Sequence, residues 1–207
     1  MPRPEDLLAL ERELWAQGFA RIAGVDEAGR GALAGPLVAA AVILPQALSV
    51  KGIRDSKRLT AQARSRLYEE LTAVGVCCWA CAIIEPAEID RAGIQPANLQ
   101  AMRQAVLRLE QTPHFVLTDH FKLAGLEIPQ RGIDKGDLVC RCIAAASILA
   151  KVTRDRIMDD LDRLCPEYGF AEHKGYGTAF HLEALREYGP SEYHRYSFRH
   201  VGQMRLG

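Results

Sequence analysis

Apolar residues along this chain fall into two kinds of segment: short continuous runs and longer stretches with helical spacing. The short runs predict strands at residues 20–26, 37–44, 76–84 and 114–119. The helical spacing predicts helices at residues 4–17, 60–74, 96–110, 139–164 and 178–188, and Pro86 opens a further short one. Because strands come first and then alternate with helices, the pattern predicts an α/β sheet with helices on both faces and allows strands of both directions.

The length and composition are typical of one globular domain. The 207 residues are 48% hydrophobic and 25% charged, and the 26 basic residues balance the 26 acidic ones. The longest apolar run, around residues 38–44, is too short to cross a membrane. The first ten residues contain acids and no apolar segment of a secretory signal, so we expect a cytoplasmic protein.

Two acids stand in the most apolar part of the chain. Asp26 and Glu27 are the only carboxylates within residues 21–44, where the other charges are Arg21 and Arg30. Because an unpaired buried carboxylate is costly, the fold must neutralise this pair with a base, a proton or a metal cation.

Two further acids occupy comparable positions. Asp119 ends a predicted strand, and Asp137 precedes the long predicted helix. Taken alone, either residue could serve as a turn or helix-end residue. If all four acids converge, like charges at about 4 Å repel by about 1 kcal/mol even in water. Such a cluster would hold protons or divalent cations, and an all-oxygen donor set suits Mg²⁺ or Mn²⁺.

The glycines after the acidic pair allow two interpretations. Gly29, Gly31 and Gly35 imitate a dinucleotide-binding loop, which would make the chain a nucleotide-cofactor enzyme. Two acids directly before the loop would repel a pyrophosphate, and the segment after Pro36 predicts a strand where that motif needs a helix. We therefore favour a loop whose backbone approaches another kind of ligand closely.

Several motifs together resemble the bacterial ribonuclease HII family. They occur in the family's order over roughly residues 20–200: GVDEAGRGALAGP, DSK at 55–57, VLTD ending at 119, KGD at 135–137, AAASILAKVTRD, HKGYGT and HRYSF. The resemblance implies an RNase H-like mixed β-sheet flanked by helices. It also implies a division of the single domain into a core at about 18–165 and a C-terminal helical part at about 166–207 that helps bind substrate.

The resemblance further implies an endoribonuclease. Its substrates would be RNA–DNA hybrids and duplex DNA with single embedded ribonucleotides, and its products would carry 3′-hydroxyl and 5′-phosphate ends. The family's metal-binding catalytic acids match Asp26, Glu27, Asp119 and Asp137. Asp26 and Asp137 would hold one Mg²⁺ or Mn²⁺ ion, and Asp26, Glu27 and Asp119 a second. Two such ions can activate a water and stabilise the leaving oxygen.

Other matched residues are expected to bind substrate. The family's loop that contacts the 2′-hydroxyl at an RNA–DNA junction matches Gly29, Arg30 and Gly31, and its junction-sensing tyrosine matches Tyr176. Phosphate contacts are expected from Ser56, Lys57 and Lys174. Ser147 lies in an apolar helix without an evident base, so we expect it to serve packing or backbone bonding.

The cysteines predict no disulfide framework. Six are present, and a cytosolic location keeps thiols reduced. Cys78 and Cys81 form a C-x-x-C within a predicted strand and lack a second matched pair, so we interpret them as small buried residues.

Partners and rival functions remain open at this point. We expect a monomer without membrane contact, and the tail GQMRLG suggests a weak sliding-clamp contact. A non-catalytic hybrid-binding domain of the same fold is the first rival; it would bind but not cleave. The nucleotide-cofactor enzyme is the second, and it would bind NAD or ATP without needing Mn²⁺.

Overall fold

The structure, a computed structural model, describes residues 6–48, 52–53 and 59–203. Within these ranges five strands form one sheet in the order β3-β2-β1-β4-β5. Their bounds are β1 Ile22–Ala28, β2 Leu37–Ile43, β3 Cys78–Ile84, β4 Phe115–Asp119 and β5 Gln130–Ile133. The pairs β1–β2 and β2–β3 are antiparallel, whereas β1–β4 and β4–β5 are parallel. The mixed α/β sheet is therefore confirmed.

Helices cover both faces of this sheet. Those before the last strand are α1 Ala9–Ala16, α2 Ala61–Thr72, α3 Pro86–Ala92 and α4 Ile94–Leu107. Those after it are α5 Gly136–Val139, α6 Arg141–Leu164, α7 Phe170–His173, α8 Ala179–Tyr188 and α9 Arg199–Gly202, with a 3₁₀ turn at Pro166–Tyr168. Thr60 and Thr178 cap α2 and α8 by accepting hydrogen bonds from Ala63 and His181 N–H. No helix in the described ranges is both long enough and apolar enough to span a bilayer.

Side-chain alternation along β1 divides the core into two layers. Ile22 and Ala28 pack with α6 on one face, while Ala23 and Val25 pack with α4 on the other. The contact between β1 and α6 is close at Gly24, where an added Cβ would lie 2.1 Å from the backbone carbon of Cys142. Gly24 therefore lets the apolar N-terminal half of α6 lie directly on the central strand.

A third apolar cluster joins the C-terminal part to the sheet layer. Its buried residues are Leu33, Ala34, Met158, Tyr168, Phe170, Ala184, Leu185 and Val201. Backbone bonds reinforce it, since the N–H groups of Leu33 and Gly35 donate to Gly175 O and Tyr193 O at 2.8 Å. The loop after β1 is thus held by two segments near the end of the chain.

Candidate active site

The four predicted acids lie at or just after the carboxyl ends of three neighbouring parallel strands. Asp26 and Glu27 lie at the carboxyl end of β1, Asp119 ends β4, and Asp137 lies in α5 directly after β5. Because β1, β4 and β5 are parallel, these ends share one edge of the sheet, where α/β proteins commonly bind ligands.

Strand register brings Asp26 and Asp119 side by side. Val25 pairs with Thr118, so the next residue of β1 lies level with the last residue of β4. Both side chains also belong to the face that packs on α6, since Ile22 and Leu117 point into that layer. Glu27 alternates to the opposite face.

Asp119 connects β4 to the segment that carries Asp137. Its carboxylate Oδ1 accepts a 2.7 Å hydrogen bond from the N–H of Gly136. Asp137 is the next residue and is fully buried in the first turn of α5. The left-handed backbone of Lys135, at φ 54°, turns the chain from β5 into this helix.

Burial and mutual repulsion disfavour ionisation of the acidic pair. Burial raises the pKa of Asp26 well above its usual value, and the Glu27 and Asp119 carboxylates raise it further. The pKa of Glu27 is raised by burial and then by Asp119, while Arg30 lowers it. Three acids from two strands therefore act on one another electrostatically.

The donor set suits a hard divalent cation. All the donors are carboxylate oxygens, and Glu27 Oε2 is buried with no hydrogen-bond partner among the residues that the structure describes. Among the described residues, one triad of Asp, Glu, His or Cys side chains has ligand atoms all within 4.8 Å of one another, and it consists of Glu11, Cys140 and Cys142. No three of the four acids therefore come that close together in the described structure. Mg²⁺ tolerates this spacing because it keeps several waters among its ligands.

Ser147, for which the sequence predicts packing or backbone bonding, lies close to Asp26. It lies on α6, which packs on β1, and its side chain is near enough to the Asp26 carboxylate to affect the pKa of that group. The Ser147 side chain lowers the pKa of Asp26 and so offsets a small part of the effect of burial. The sequence does not indicate this proximity, because the residues next to Ser147 along the helix are apolar.

A pocket of about 340 Å³ opens beside the acids. It is lined by Glu27, Ala28, Gly29, Arg30, Gly31, Arg64, Ser147, Ile148, Lys151 and Tyr176. The predicted glycine loop and the predicted tyrosine therefore face one cleft, whose volume suits a small ligand or one nucleotide. Arg64 and Lys151 are additions from the structure, and they bracket Asp155 at 4.0 and 2.6 Å.

Arg154 braces both walls of this pocket. Its buried guanidinium donates to Ala34 O, Pro36 O and Lys174 O at 2.9 to 3.0 Å. It also lies 5.6 Å from the centre of the Tyr176 ring. Gly29, at φ +90°, makes room for it, since an added Cβ would lie 1.9 Å from Arg154 Nε.

A second buried arginine holds the glycine loop itself. Arg195 donates to Gly35 O at 2.9 and 3.0 Å and to Arg30 O at 3.2 Å. Burial lowers its pKa, and the neighbouring Arg154 cation lowers it further. The loop conformation therefore depends on buried contacts from α6 and from the end of the chain.

The predicted phosphate contacts fare differently from the acids. Ser56 and Lys57 lie outside the described residues. Lys174 adopts a left-handed backbone, and its ammonium pairs with Asp159 rather than lining the pocket.

The order of the elements excludes a dinucleotide-binding loop at Gly29–Gly35. That motif needs a helix directly after the glycines, whereas here Pro36 leads into strand β2.

The buried thiols form a separate cluster. Cys140 and Cys142 have Sγ atoms 3.4 Å apart near Glu11, whose carboxylate is already bound by Arg141 at 2.9 Å. Burial raises the pKa of Cys142 well above its usual value, which keeps it a thiol. All six cysteines are free, which confirms the prediction of thiols.

Comparison with known proteins identifies the relatives of this chain. The sequence model of the family described as Ribonuclease HII matches residues 23–201. Ribonuclease HII of Salinispora arenicola is 52% identical over 201 residues, covering 96% of this chain and 74% of the relative. Ribonuclease H2 of Pyrococcus horikoshii superposes with a TM-score of 0.74 at 25% identity, covering 90% of this chain and 97% of that one. The RNase HII of an Archaeoglobus fulgidus PCNA:RNase HII complex superposes at 0.70 and 26% identity, with coverages of 89% and 96%. The RNase H-like fold is thereby confirmed.

Proposed function

The chain belongs to the ribonuclease HII family, and we propose that it incises duplex DNA at single embedded ribonucleotides as well as cutting the RNA strand of RNA–DNA hybrids. The observation that carries this proposal is the position of the acids. The four acids lie at the ends of three parallel strands, and one of them, Glu27, lines a pocket together with the glycine loop and Tyr176.

The four acids would supply the oxygen ligands for the proposed divalent cations. Asp26 and Asp137 would hold one Mg²⁺ or Mn²⁺ ion, and Asp26, Glu27 and Asp119 a second. Two such ions supply water activation and stabilisation of the leaving oxygen in phosphodiester hydrolysis. The N–H groups of Glu27 and Gly136 donate to the carboxylates of Asp26 and Asp119 at 2.8 and 2.7 Å, so neither carboxylate must reorient far when substrate arrives.

Recognition of the ribonucleotide rests on the glycine loop and Tyr176. The 2′-hydroxyl both donates and accepts, and a backbone free of Cβ atoms at Gly29 and Gly31 can meet both functions. Tyr176 is 40% exposed, with its ring against the Arg154 guanidinium. One face of the ring is therefore backed by protein, and the remainder is available to a sugar or base.

Cations on α2 and α6 suit the substrate backbone. Arg64 and Lys151 line the pocket close to Ser147, and both flank Asp155. One carboxylate between two cations leaves a net positive charge for a phosphate. We propose these two residues as phosphate contacts in addition to Ser56 and Lys57.

A cleavage assay tests the proposed function. The full chain is incubated with a long RNA–DNA hybrid in Mg²⁺, in Mn²⁺ and in excess chelator. We expect cleavage of the RNA strand that requires the cation and yields 3′-hydroxyl and 5′-phosphate ends. Binding of the hybrid without any cleavage would instead identify the non-catalytic rival, and a thermal shift with NAD or ATP but not Mn²⁺ would favour the cofactor enzyme.

Tyr176→Ala should selectively impair cleavage at single ribonucleotides. Loss of aromatic stacking removes about 1–3 kcal/mol, which corresponds to a loss of about 5- to 150-fold in kcat/KM. Tyr176→Phe keeps the ring and should retain most of the activity. Tyr188→Ala is the matched control, because Tyr188 is an exposed tyrosine outside the pocket. Unchanged kcat/KM of Tyr176→Ala on a duplex with one ribonucleotide would remove the ring from the mechanism.

The clamp contact stays a prediction for the C-terminal tail. Residues 204–207 of GQMRLG lie outside the described residues. The similar Archaeoglobus protein was solved with PCNA, which supports a clamp as the kind of partner. Deleting the last five residues should weaken binding to a sliding clamp without lowering cleavage of a free hybrid, and unchanged clamp binding would contradict the assignment.

A further inference from the structure

Three buried histidines lie directly beneath the Tyr176 loop. His173 and His181 stack with ring centres 4.5 Å apart, and His194 lies 5.2 Å from His181. Phe170 contacts all three rings, at 5.5 to 6.2 Å between centres. None of the three lines the pocket. Each instead contacts backbone groups of the Tyr176 loop or of the segment near residue 191.

Hydrogen bonds connect two of these rings in a continuous line. His181 Nδ1 lies 3.0 Å from the carbonyl oxygen of Tyr176, and its Nε2 lies 3.0 Å from His194 Nε2. At the far end, His194 Nδ1 accepts the N–H of Ser191 at 3.0 Å. The line therefore runs from the backbone of residue 191 to the backbone of Tyr176.

The Tyr176 carbonyl and the neutrality of both rings together assign the protons in this line, and at its far end the Ser191 hydroxyl also lies 2.9 Å from His194 Nδ1. A carbonyl accepts and does not donate, so His181 Nδ1 must carry a proton. Burial lowers the pKa of both His181 and His194 to about 4, so each ring is neutral at pH 7 and His181 Nε2 is bare. His194 Nε2 must then donate, which leaves its Nδ1 bare to accept from Ser191.

We infer that His181 and His194 form a directional relay that positions Tyr176 for reading the ribonucleotide. Ser191 N–H donates to His194, His194 donates to His181, and His181 donates to the carbonyl of Tyr176. This inference rests on the proposed role of Tyr176. The two histidines are positioning residues, since neither touches the pocket.

The relay also connects Tyr176 to the glycine loop. His194 and Ala34 form an isolated β-bridge, and Arg195 N–H donates to Leu33 O at 2.8 Å. Residues 191–195 therefore contact the chain after Gly31 on one side and, through the two rings, the carbonyl of Tyr176 on the other. A shift at either end changes the distance between the two groups proposed to contact the ribonucleotide.

Proton positions in the wild-type protein give the first test. Long-range ¹H–¹⁵N correlation spectra of the ¹⁵N-labelled full chain at pH 7 report which ring nitrogen carries the proton. We expect the proton on Nδ1 of His181 and on Nε2 of His194. A proton on Nε2 of His181, a proton on Nδ1 of His194, or a doubly protonated ring at either position would overturn the relay.

Variants of His194 test the effect on substrate reading. His194→Phe removes the donor, so kcat/KM on a single-ribonucleotide duplex should fall about two- to tenfold further than on a long hybrid, the effect of one hydrogen bond. His194→Gln keeps a neutral donor near the Nε2 position and should restore the ratio. His200→Phe changes an exposed histidine outside the relay and should leave the ratio unchanged.

The outcomes separate the relay from the proposed function. A wild-type ratio in folded His194→Phe, or failure of folded His194→Gln to restore it, would contradict the relay. If the His194 variants do not fold, the proton positions in the wild type still decide. If the wild type cleaves neither substrate, the proposed function is wrong, and the spectra still report whether the relay exists.

Discussion

Asp26→Asn should abolish cleavage while the protein remains folded. Asp26 is the acid assigned to both cation sites, and the amide keeps its shape while removing the charge. Electrostatic stabilisation by bound cations is worth several kcal/mol, so we expect kcat to fall by about a thousandfold or more. The measurement is cleavage of a long hybrid in saturating Mg²⁺, with folding checked by circular dichroism.

The same variant should be more stable than the wild type in metal-free buffer at pH 7. Because the pKa of Asp26 is raised in the folded state, folding disfavours the carboxylate. Below the unfolded pKa of about 3.9 the Asp26 carboxyl is protonated in both states, and there the wild type has its greatest stability relative to the variant. As pH rises through the raised folded pKa, the free energy of unfolding of the wild type falls, whereas that of the variant is unaffected by this group. We expect Asp26→Asn to raise the free energy of unfolding at pH 7 by about 1 kcal/mol or more.

Adding a divalent cation should make the wild type more stable than Asp26→Asn. Mn²⁺ binds the folded wild type and stabilises it by mass action, whereas the variant should gain little. Asp134→Asn is a suitable control, because Asp134 is an exposed acid near Asp137 that pairs with His120. Wild-type cleavage by Asp26→Asn would refute the catalytic assignment, and equal Mn²⁺ stabilisation of both proteins would refute the ligand assignment.

Arg154→Met should both destabilise the protein and lower its activity. The change leaves three carbonyls, the buried ones of Ala34 and Pro36 and the partly buried one of Lys174, without the donor that now binds them. Each orphaned group costs about 1 kcal/mol or more, so we expect a loss of about 3 kcal/mol in the free energy of unfolding. Because Tyr176 and the glycine loop both rest on this guanidinium, a shift near 1 Å should lower kcat/KM by about a hundredfold.

Two control variants distinguish loss of the Arg154 hydrogen bonds from loss of its positive charge. Arg156→Met removes an arginine from the same helix that is exposed and contacts Tyr68, so stability and cleavage should change little. Arg154→Lys keeps the charge without the planar fork and should recover only part of the loss. Normal cleavage at single ribonucleotides by a folded Arg154→Met would contradict the bracing role.

The sequence predicted the sheet well because most of its strands are buried. The strand predicted at 37–44 matches Leu37–Ile43, in which every residue is buried. The strand Gln130–Ile133 was missed because it is short, half-exposed and begins with two polar residues, so it shows no apolar run. That strand nevertheless sets the position of Asp137, which illustrates how an edge strand can carry function without a sequence signal.

The acids were predictable and their supporting residues were not. Asp26 and Glu27 stand out because charge is costly in an apolar segment. Arg154, by contrast, lies in the charged C-terminal half of α6, where the sequence predicts a solvated surface. It is nevertheless fully buried, and it donates to the carbonyl of Ala34, 120 residues away along the chain. Lys151 and Ser147 are four residues apart on one face of α6, a spacing that indicates a shared environment once either role is known.

The most direct test uses a DNA duplex that contains one ribonucleotide. The wild-type chain is incubated with it in Mg²⁺, in Mn²⁺ and in chelator, beside an all-DNA duplex of the same sequence, and the ends are mapped. If the acids hold catalytic cations beside a ribonucleotide-reading pocket, one strand is cut at the ribonucleotide to give 3′-hydroxyl and 5′-phosphate ends, and only with cation. Cleavage that persists in chelator, or equal cleavage of the all-DNA duplex, would contradict this account.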